Sequence, residues 1–421
     1  WMLRIGLYLY DFLGGRMTLP RSRGLRKSDT LYTAPLKGSG RGFVYSDAWV
    51  DDARLTVLNA MDAADNGAEI AVGTELLSAR REDGLWHATL GDGRNVTARA
   101  LVNAAGPWAE SFLRGVARPA GNEALATKSL RLVKGSHIVV PRCFEHDHAY
   151  IFQNPDRRII FAIPYERDFT LIGTTDQEIE GDPAQARISE DEIAYLCAQA
   201  SRYFARAITP ADVAWHYAGV RPLLDDASGD PSAVTRDYLL EHNTDGGAPL
   251  LSIWGGKITT FRKLAEDAAT DVGQMLGEPR RAWTEGAFLR GGDLREWVGA
   301  PQRPDTDFER LVQTLGQRHP WLPGALARRL ARAYGARVSG VLCDAASLAD
   351  LGPEVAPGLH EAELRFLERE EWACSADDVL WRRSKLGLHY TAEQRQQVVD
   401  WFGRHFPQHD DETRMKVNRC S

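Results

Sequence analysis

The stretch WGGKITTFRKLAEDA (residues 254–268) joins two glycines and a lysine to the start of a helix. Apolar residues recur at helical spacing from Phe261 to Leu276, and Thr259 or Thr260 can cap the N-terminus. Glycines let a backbone lie flat against a ligand, and a helix N-terminus carries partial positive charge. The stretch therefore predicts a site for a negatively charged group, and a plain glycine turn before a capped helix is the alternative.

The preceding part of the chain contains a second small-residue turn, NAAGPW (103–108). Residues 51–66 are predicted as a helix that begins after Asp51. Four predicted strands follow it, at 69–72, 76–81, 85–90 and 96–102. NAAGPW ends the last strand and places a proline where a helix can begin. This order is typical of the second half of a Rossmann-type nucleotide-binding domain, and a tight turn without a ligand is the alternative.

The middle of the chain is richer in strands. One helix is predicted at 190–204, and β patterns lie at 136–140, 150–153, 159–163, 170–173 and 250–254. These runs indicate a largely antiparallel sheet. After a linker at 277–281 the β pattern ends. A separate all-α domain is predicted from helical patterns at 305–317, 323–335, 359–373, 375–387 and 391–406.

The composition is that of a globular protein with a net charge of -7, which argues against nucleic-acid binding. The five cysteines are scattered, so neither a metal site nor a disulfide framework is predicted, and a reducing cytoplasm fits them. No run reaches the ~18 apolar residues that a membrane span needs. Residues 1–47 carry an excess of Lys and Arg, which suits an anionic membrane surface, a phosphorylated ligand or simply a solvated surface.

Two side chains have the chemistry of an anion-binding group and of a proton acceptor. AGVRPL (218–223) places Arg221 in a predicted turn, and arginine binds phosphate or carboxylate through two parallel bonds. KGSH (134–137) places His137 before an apolar strand, where an imidazole that titrates near neutrality can accept an alcohol proton. A surface arginine and a structural histidine are the alternatives.

The order of eight motifs closely resembles aerobic, FAD-linked glycerol-3-phosphate dehydrogenase. The motifs are RGFVYSDAWVDDARL (41–55), SARREDGLW (78–86), NAAGPW (103–108), KGSHIVVPR (134–142), IGTTDQE (172–178), AGVRPLLDD (218–226), TRDYLL (235–240) and WGGKITTFRKLAEDA (254–268). The resemblance continues through EAELRFLEREEW (361–372) and ADDVLWRRSKLG (376–387), so it covers nearly the whole chain.

The resemblance implies an α/β plus α+β fold in four segments. Residues 1–115 are the remainder of an FAD-binding Rossmann-type domain with a substrate-domain insertion, and 116–253 are an antiparallel-sheet substrate domain. Residues 254–277 return to the FAD-binding domain, and 285–421 form the all-α C-terminal domain. The FAD-binding residues that it implies are Leu76, Ala105, Gly106, Gly256, Lys257, Ile258 and Thr259. The implied substrate-facing residues are His137, Arg221 and Lys257.

The implied reaction is oxidation of sn-glycerol 3-phosphate to dihydroxyacetone phosphate, with His137 as the candidate base and Arg221 among the groups that hold the phosphate. The resemblance also implies electron transfer to membrane quinone and peripheral attachment to the cytoplasmic face of the inner membrane, and it leaves a homodimer open. The alternatives are an amine or amino-acid oxidase of the same superfamily, such as glycine or sarcosine oxidase, and a non-catalytic fragment.

The chain departs from the family pattern at its beginning. The family starts with a strand, a GxGxxG-type loop and a helix that bind a pyrophosphate, and this sequence contains no GxGxxG. We therefore expect that the 421-residue chain is N-terminally truncated and binds FAD weakly or not at all.

Overall fold

The computed structural model describes residues 2–13, 20–26, 28–38, 42–118, 125, 127–156, 158–225, 237–245 and 247–406. The chain forms two compact units. Unit one comprises Trp1–Ala34, Gly38–Val72 and Phe288–Lys416. Unit two comprises Pro35–Lys37, Gly73–Ala287 and Val417–Ser421.

The strands are β1 (Arg23–Gly24), β2 (Phe43–Val44), β3 (Leu76–Glu82), β4 (Leu85–Leu90), β5 (Asn95–Ala98), β6 (Leu101–Asn103), β7 (Ala117–Arg118), β8 (Leu130–Pro141), β9 (Tyr150–Gln153), β10 (Ile159–Tyr165), β11 (Phe169–Gly173), β12 (Gln177–Ile179), β13 (Trp215–Leu224), β14 (Tyr238–Asn243), β15 (Leu250–Gly255), β16 (Glu354–Ala356) and β17 (Leu359–His360). The α-helices are α1 (Met2–Leu13), α2 (Thr30–Thr33), α3 (Asp52–Asp65), α4 (Ala109–Gly115), α5 (Glu190–Tyr203), α6 (Phe261–Met275), α7 (Arg295–Val298), α8 (Pro304–Arg318), α9 (Gly324–Tyr334), α10 (Val338–Leu342), α11 (Glu361–Glu371) and α12 (Ala392–His405).

The largest sheet of unit two is antiparallel throughout, as the sequence predicts. Its strand order is β12-β8-β11-β10-β9, and β13 also pairs with β8. The long strand β8 pairs with β11 over residues 137–141, with β12 over 132–134 and with β13 over 130–139. Helix α5 covers this sheet, because Leu196 and Ala200 pack in one buried cluster with Ile138. The sheet therefore rests on a continuous apolar core.

Two smaller sheets also belong to unit two, with strand orders β5-β4-β3-β7 and β14-β15-β6. The predicted single strand at 96–102 was wrong, because β5 and β6 belong to different sheets. Arg99 lies between them and binds Glu278 at 2.7 Å and the Leu276 carbonyl oxygen at 3.0 Å. A continuous apolar run does not show which sheet each half will join.

The motif SARREDGLW binds the β3–β4 hairpin to the β14–β15 hairpin. The Arg81 guanidinium donates to backbone carbonyl oxygens between residues 243 and 248, and Trp86 Nε1 donates to the Pro249 carbonyl oxygen at 2.8 Å. The guanidinium carbon also lies 4.8 Å from the Trp86 ring centroid. The two conspicuous side chains of this motif therefore have a structural role.

In unit one, a buried ion pair joins α3 to α11. Arg54 binds both carboxylate oxygens of Glu371, and its Nη2 also donates to the Ala333 carbonyl oxygen at 3.0 Å. A buried charge needs a partner of this kind. The helix predicted at 51–66 is confirmed as α3, and the Asp51 side chain accepts a hydrogen bond from the Arg54 amide at 3.1 Å.

The C-terminal region follows the predicted helices with two differences. Four of them are present as α8, α9, α11 and α12. The run at 375–387 forms the π-helix Asp378–Arg383 and the 3₁₀ turn Leu386–Leu388 instead of one α-helix. The strands β16 and β17 form a short antiparallel pair, so the region is not entirely helical. Pro357 and Gly358 connect these two strands.

Residues 69–72, predicted as a strand, are not part of one, because four apolar-rich residues are a weak signal. The compact units also differ from the predicted domains, since residues up to Val72 group with those after Phe288. Compactness and family boundaries are different criteria, and the domain boundaries stay a prediction. Within the described ranges, no helix is both long and apolar enough to span a membrane.

Candidate active site

The two glycine turns lie at one edge of the β14-β15-β6 sheet. β6 and β15 are parallel, with Leu101 opposite Leu250 and Asn103 opposite Ser252. β6 ends at Asn103, the first residue of NAAGPW, and β15 ends at Gly255, the first residue of GGKITT. Because the carboxyl ends of parallel strands meet at the same edge, the fold brings the two turns together. The 3₁₀ turn Gly106–Trp108 accordingly contacts β15.

Both turns depend on glycine backbone. The angle φ is +54° at Gly106, +67° at Gly255 and +100° at Gly256, a region that residues with side chains rarely adopt. Residues Gly256 to Thr259 are exposed. The second turn therefore offers accessible backbone to a ligand.

The helices that follow the two turns lack side-chain caps. The N-cap residues of α4 and α6 are Trp108 and Thr260, and neither side chain accepts a capping hydrogen bond. The predicted cap from Thr259 or Thr260 was wrong, since Thr260 Oγ1 donates to the Lys257 carbonyl oxygen at 3.0 Å. Amide groups at uncapped helix starts bind anionic groups well.

Asn103 shapes the first turn, and the sequence analysis did not single it out. Its buried side chain donates from Nδ2 to the Ala109 carbonyl oxygen at 3.0 Å, and Oδ1 accepts from the Ala105 amide at 3.3 Å. Both bonds span the turn that contains Gly106. An asparagine at the end of an apolar strand was the available signal.

Arg221 lies within β13, so the predicted turn at this residue was wrong. The residues from Trp215 to Leu224 pair continuously with β8. Alternation along the strand places Tyr217, Gly219 and Arg221 on one face. Tyr217 lies opposite His137, and their rings stack with centroids 5.0 Å apart. The register therefore brings His137 and Arg221 to the same face of the sheet.

Two residues of IGTTDQE hold the Arg221 guanidinium. Nη1 forms an ion pair with Asp176 Oδ1 at 2.7 Å, and Nη2 donates to Thr174 Oγ1 at 3.0 Å. The Arg221 side chain is still 37% exposed, so it is oriented and yet accessible to an anion. The sequence analysis did not include Thr174 or Asp176 among the site residues. The polar run 173–176 at the end of a strand, which suits a pocket lining or a simple turn, was the signal for them.

His137 lies between β11 and β13. Its ring packs against Gly173, where a Cβ would stand 2.6 Å from Nε2, and it stacks on Tyr217. Nδ1 is buried and has no hydrogen-bond partner among the described residues. Burial, followed by the positive charge of Arg221, lowers the pKa of His137 to about 4. The imidazole is therefore neutral at pH 7 and able to accept a proton, and it titrates well below the neutral range that the sequence suggests.

Lys257 is exposed in the second glycine turn, directly before the 3₁₀ turn Ile258–Thr260. The glycine turn adjoins the strand that carries Arg221, because a Cβ at Gly255 would stand 3.9 Å from the Pro222 carbonyl oxygen. The loop with Lys257 and the strand that carries Arg221 are therefore neighbours in the fold.

Leu76 lies in a different sheet from the strands that end in these turns. It begins β3, which pairs with β4 and β7 in the other small sheet. Its half-buried side chain packs against the core cluster that contains Trp86 and Trp254. Its place beside a bound cofactor stays a prediction.

A buried carboxylate holds β8 in position behind the face. Glu192 of α5 forms an ion pair with Lys134 at 2.8 Å and accepts hydrogen bonds from the hydroxyls of Ser136 and Thr175, each at 2.8 Å, and from the Ser189 amide at 2.9 Å. Burial acts to raise the pKa of Glu192, but these donors outweigh it and lower the pKa to about 2. Lys134 and Ser136, the two neighbours of Gly135 in the chain, therefore both bind a side chain of α5.

Glu192→Gln is expected to make the free energy of unfolding less dependent on pH in the acid range. Since the pKa of Glu192 is lowered from 4.5 to about 2, the ionised carboxylate stabilises the fold fully above pH 4.5, and this contribution is lost as the pH falls through about 2. Glutamine cannot ionise, so the variant should have a lower free energy of unfolding at pH 7. That free energy should also change less between pH 4.5 and 2 than in the parent protein. Urea unfolding at a series of pH values measures this, with Glu190→Gln at the exposed start of α5 as control. An unchanged pH dependence in Glu192→Gln would contradict it.

The family model for FAD dependent oxidoreductases matches residues 10–262, a range that contains both glycine turns, His137 and Arg221. The chain belongs to the FAD-dependent oxidoreductase family. A second family model, for the C-terminal domain of alpha-glycerophosphate oxidase, matches residues 283–413 of this oxidoreductase.

Several curated relatives of this oxidoreductase are similar over nearly its whole length. It is 47% identical over 416 residues to glycerol-3-phosphate dehydrogenase of Pseudomonas aeruginosa. The matched region covers 97% of this chain and 77% of the relative. It is 44% identical to D-erythritol 1-phosphate dehydrogenase of Brucella abortus, over 96% of this chain and 78% of the relative. It is 43% identical to aerobic glycerol-3-phosphate dehydrogenase of Escherichia coli, over 95% of this chain and 78% of the relative.

A solved structure agrees with these relatives. The oxidoreductase resembles the FAD complex of glycerol-3-phosphate dehydrogenase from Bacillus halodurans with a TM-score of 0.75 and 28% identity, over 94% of this chain and 77% of that one. The FAD-binding fold followed by a C-terminal helical domain is thereby confirmed.

The cofactor of this oxidoreductase is FAD, and the two turns fit it. Glycine backbone at Gly106 and Gly256 permits close approach of a flat ring, and the uncapped helix starts suit its negative charge in the reduced state. The unpartnered Nδ1 of His137 and the accessible Arg221 lie on the neighbouring strand face. The residues present are therefore consistent with a flavin at this edge of the sheet.

Proposed function

We propose that this protein oxidises the secondary alcohol of sn-glycerol 3-phosphate to the ketone of dihydroxyacetone phosphate. The observation that carries the proposal is the shared face of β8 and β13, on which the neutral His137 and the cationic Arg221 lie, in a sheet whose strand β13 adjoins both glycine turns. Bound FAD supplies the two-electron oxidant for the alcohol. The three curated relatives named above are dehydrogenases of polyol phosphates by name, which supports this substrate class over an amine or amino acid.

In this proposal the two side chains have separate roles. Arg221 binds the substrate phosphate, because a guanidinium held by Asp176 and Thr174 is already oriented for an anion. His137 accepts the proton of the hydroxyl group, since its imidazole is neutral at working pH. Lys257 faces the substrate from the second turn and adds positive charge for the phosphate.

The flavin contacts are proposed from the turns and from the family resemblance. Ala105 and Gly106 lie by the cofactor at the end of β6, and Gly256, Ile258 and Thr259 approach the flavin ring at the end of β15. The exposure of Gly256 to Thr259 supports this assignment. Leu76 is proposed to pack near the adenine through its backbone.

A substrate panel tests the function. The purified protein is expected to show flavin absorbance and to reduce a soluble dye with sn-glycerol 3-phosphate in the absence of NAD. D-Erythritol 1-phosphate, glycine and sarcosine are the comparison substrates. A requirement for NAD, or a higher kcat/KM for glycine or sarcosine, would refute the proposal. A preference for D-erythritol 1-phosphate would retain the chemistry and change the substrate.

We also propose membrane quinone as the electron acceptor, with the enzyme attached peripherally to the cytoplasmic face of the inner membrane as a monomer or homodimer. The exposed apolar side chains of α1, among them Met2, Tyr8 and Phe12, support contact with a membrane surface. In the same assay, vesicles that contain quinone should replace the dye as acceptor. Failure of quinone to accept electrons would refute this part alone.

A further inference from the structure

Two glycines face each other across the β8–β13 ladder, on the face that carries the candidate catalytic groups. Gly135 lies opposite Gly219 in register. His137 lies two residues after Gly135, and Arg221 lies two residues after Gly219. Since alternate residues of a strand share a face, these four residues belong to one face, to which the two glycines add no side chain of their own.

Gly135 is in close contact with the Arg221 guanidinium. A Cβ at this position would stand 2.8 Å from Arg221 Cζ and 2.7 Å from Thr174 Oγ1. Both distances are shorter than non-bonded carbon contacts allow, so any larger residue would displace the guanidinium. Gly135 is also buried, and its neighbours Lys134 and Ser136 are tied to Glu192. The strand cannot easily move away to relieve the clash.

Gly219 has the opposite surroundings. It is exposed, its φ is not positive, and no atom of the described residues lies within 4 Å of the position of its Cβ. Along β13 its same-face neighbours are Tyr217, which stacks on His137, and Arg221. The described part of the chain therefore leaves open space above Gly219, next to Tyr217 and Arg221.

We propose that Gly135 is a positioning residue that keeps Arg221 in place, and that Gly219 determines specificity by leaving room for the carbon chain of a polyol phosphate. The inference rests on the proposed function. In this proposal the hydroxyl group of the substrate is at His137, its phosphate is at Arg221, and its carbon chain occupies the open space above Gly219. Inorganic phosphate needs only Arg221.

The two roles are separated by comparing a complete substrate with a small anion. Gly135→Ala is expected to raise both the KM for sn-glycerol 3-phosphate and the Kd for inorganic phosphate, each by about tenfold or more, because overpacking moves Arg221. Gly219→Val is expected to lower kcat/KM for sn-glycerol 3-phosphate about tenfold or more while the Kd for phosphate stays within roughly twofold. Calorimetry measures the phosphate Kd independently of turnover.

Two controls keep the test specific. In an Arg221→Ala background, Gly135→Ala should cause no further loss of phosphate binding. A merely structural defect in Gly135→Ala would weaken phosphate binding further in that background. Gly316→Ala in α8 changes a glycine that also has no described atom within 4 Å, and all parameters should stay at the parent values. Each glycine variant is checked for parent-like unfolding.

Two results would overturn the inference. Gly219→Val with parent-like kcat/KM would show that the substrate does not lie over this position. Gly135→Ala with a parent-like phosphate Kd would show that Arg221 does not depend on it. If the parent protein binds phosphate but does not oxidise sn-glycerol 3-phosphate, the proposed function fails, and the calorimetric comparison of Gly135→Ala with Arg221→Ala still tests the positioning role.

Discussion

His137→Ala is expected to lower kcat by ~10²–10⁴-fold with little change in KM, because a general base acts on the chemical step and not on binding. Burial of the ring between Gly173 and Tyr217 gives this residue its role. It keeps the imidazole neutral, and it leaves Nδ1 without a partner among the described residues. Steady-state kinetics with sn-glycerol 3-phosphate measures the effect.

The pH profile distinguishes a base from a structural histidine. Because the pKa of His137 is lowered to about 4, the proton-accepting form predominates above that value, and kcat/KM should fall as the pH drops through about 4. His137→Ala should lose this acid limb. His216→Ala is the matched control, since His216 is the neighbour of Tyr217 on β13 and belongs to the opposite face. Near-normal turnover and an intact acid limb in His137→Ala would mean that the base is elsewhere.

Arg221→Ala is expected to raise KM on the order of ten- to a hundredfold, because a charge-assisted contact is worth ~1.5–3 kcal/mol. The turnover of bound substrate should fall much less than in His137→Ala. Arg221→Lys should recover only part of the loss, since one ammonium group cannot donate to Asp176 and Thr174 and still present a planar fork to phosphate.

The control for Arg221 is another arginine paired with an aspartate in the same unit. Arg206 forms an ion pair with Asp212 at 3.0 Å near the end of α5, so Arg206→Ala removes a comparable pair away from the β8–β13 face. Its KM is expected to equal that of the parent. If Arg221→Ala instead keeps a parent-like KM and loses only stability, the arginine is structural and another cation binds the phosphate.

Much of this protein could be predicted from local sequence. The helices α3, α5 and α6 and most strands of the antiparallel sheet follow from periodicity and from caps such as Asp51. The order of eight motifs along nearly the whole chain was sufficient to identify the family, which the comparisons confirm. The helices and strands depend on residues that are near each other in the chain, and local sequence carries that information.

The expected weak FAD binding of the 421-residue chain and the residue-by-residue contacts with the flavin stay predictions, as do the domain boundaries. The binding residues are supported by the position of the turns, but a contact with FAD is a property of the complex. The same holds for Lys257, whose exposure is compatible with a substrate contact and with a solvated side chain.

Pairing between distant segments decided the remainder. Glycine and proline around Arg221 indicate a turn, yet ten residues of pairing with β8 make this segment a strand and turn the guanidinium toward Thr174 and Asp176. The run at 96–102 is divided between two sheets because its halves find different partners. Local sequence sets which residues alternate and where a chain can bend, whereas the register between strands is set by side chains far away in the sequence. For that reason the sequence could nominate His137 and Arg221, and only the tertiary structure could show that they share one face with Gly135 and Gly219.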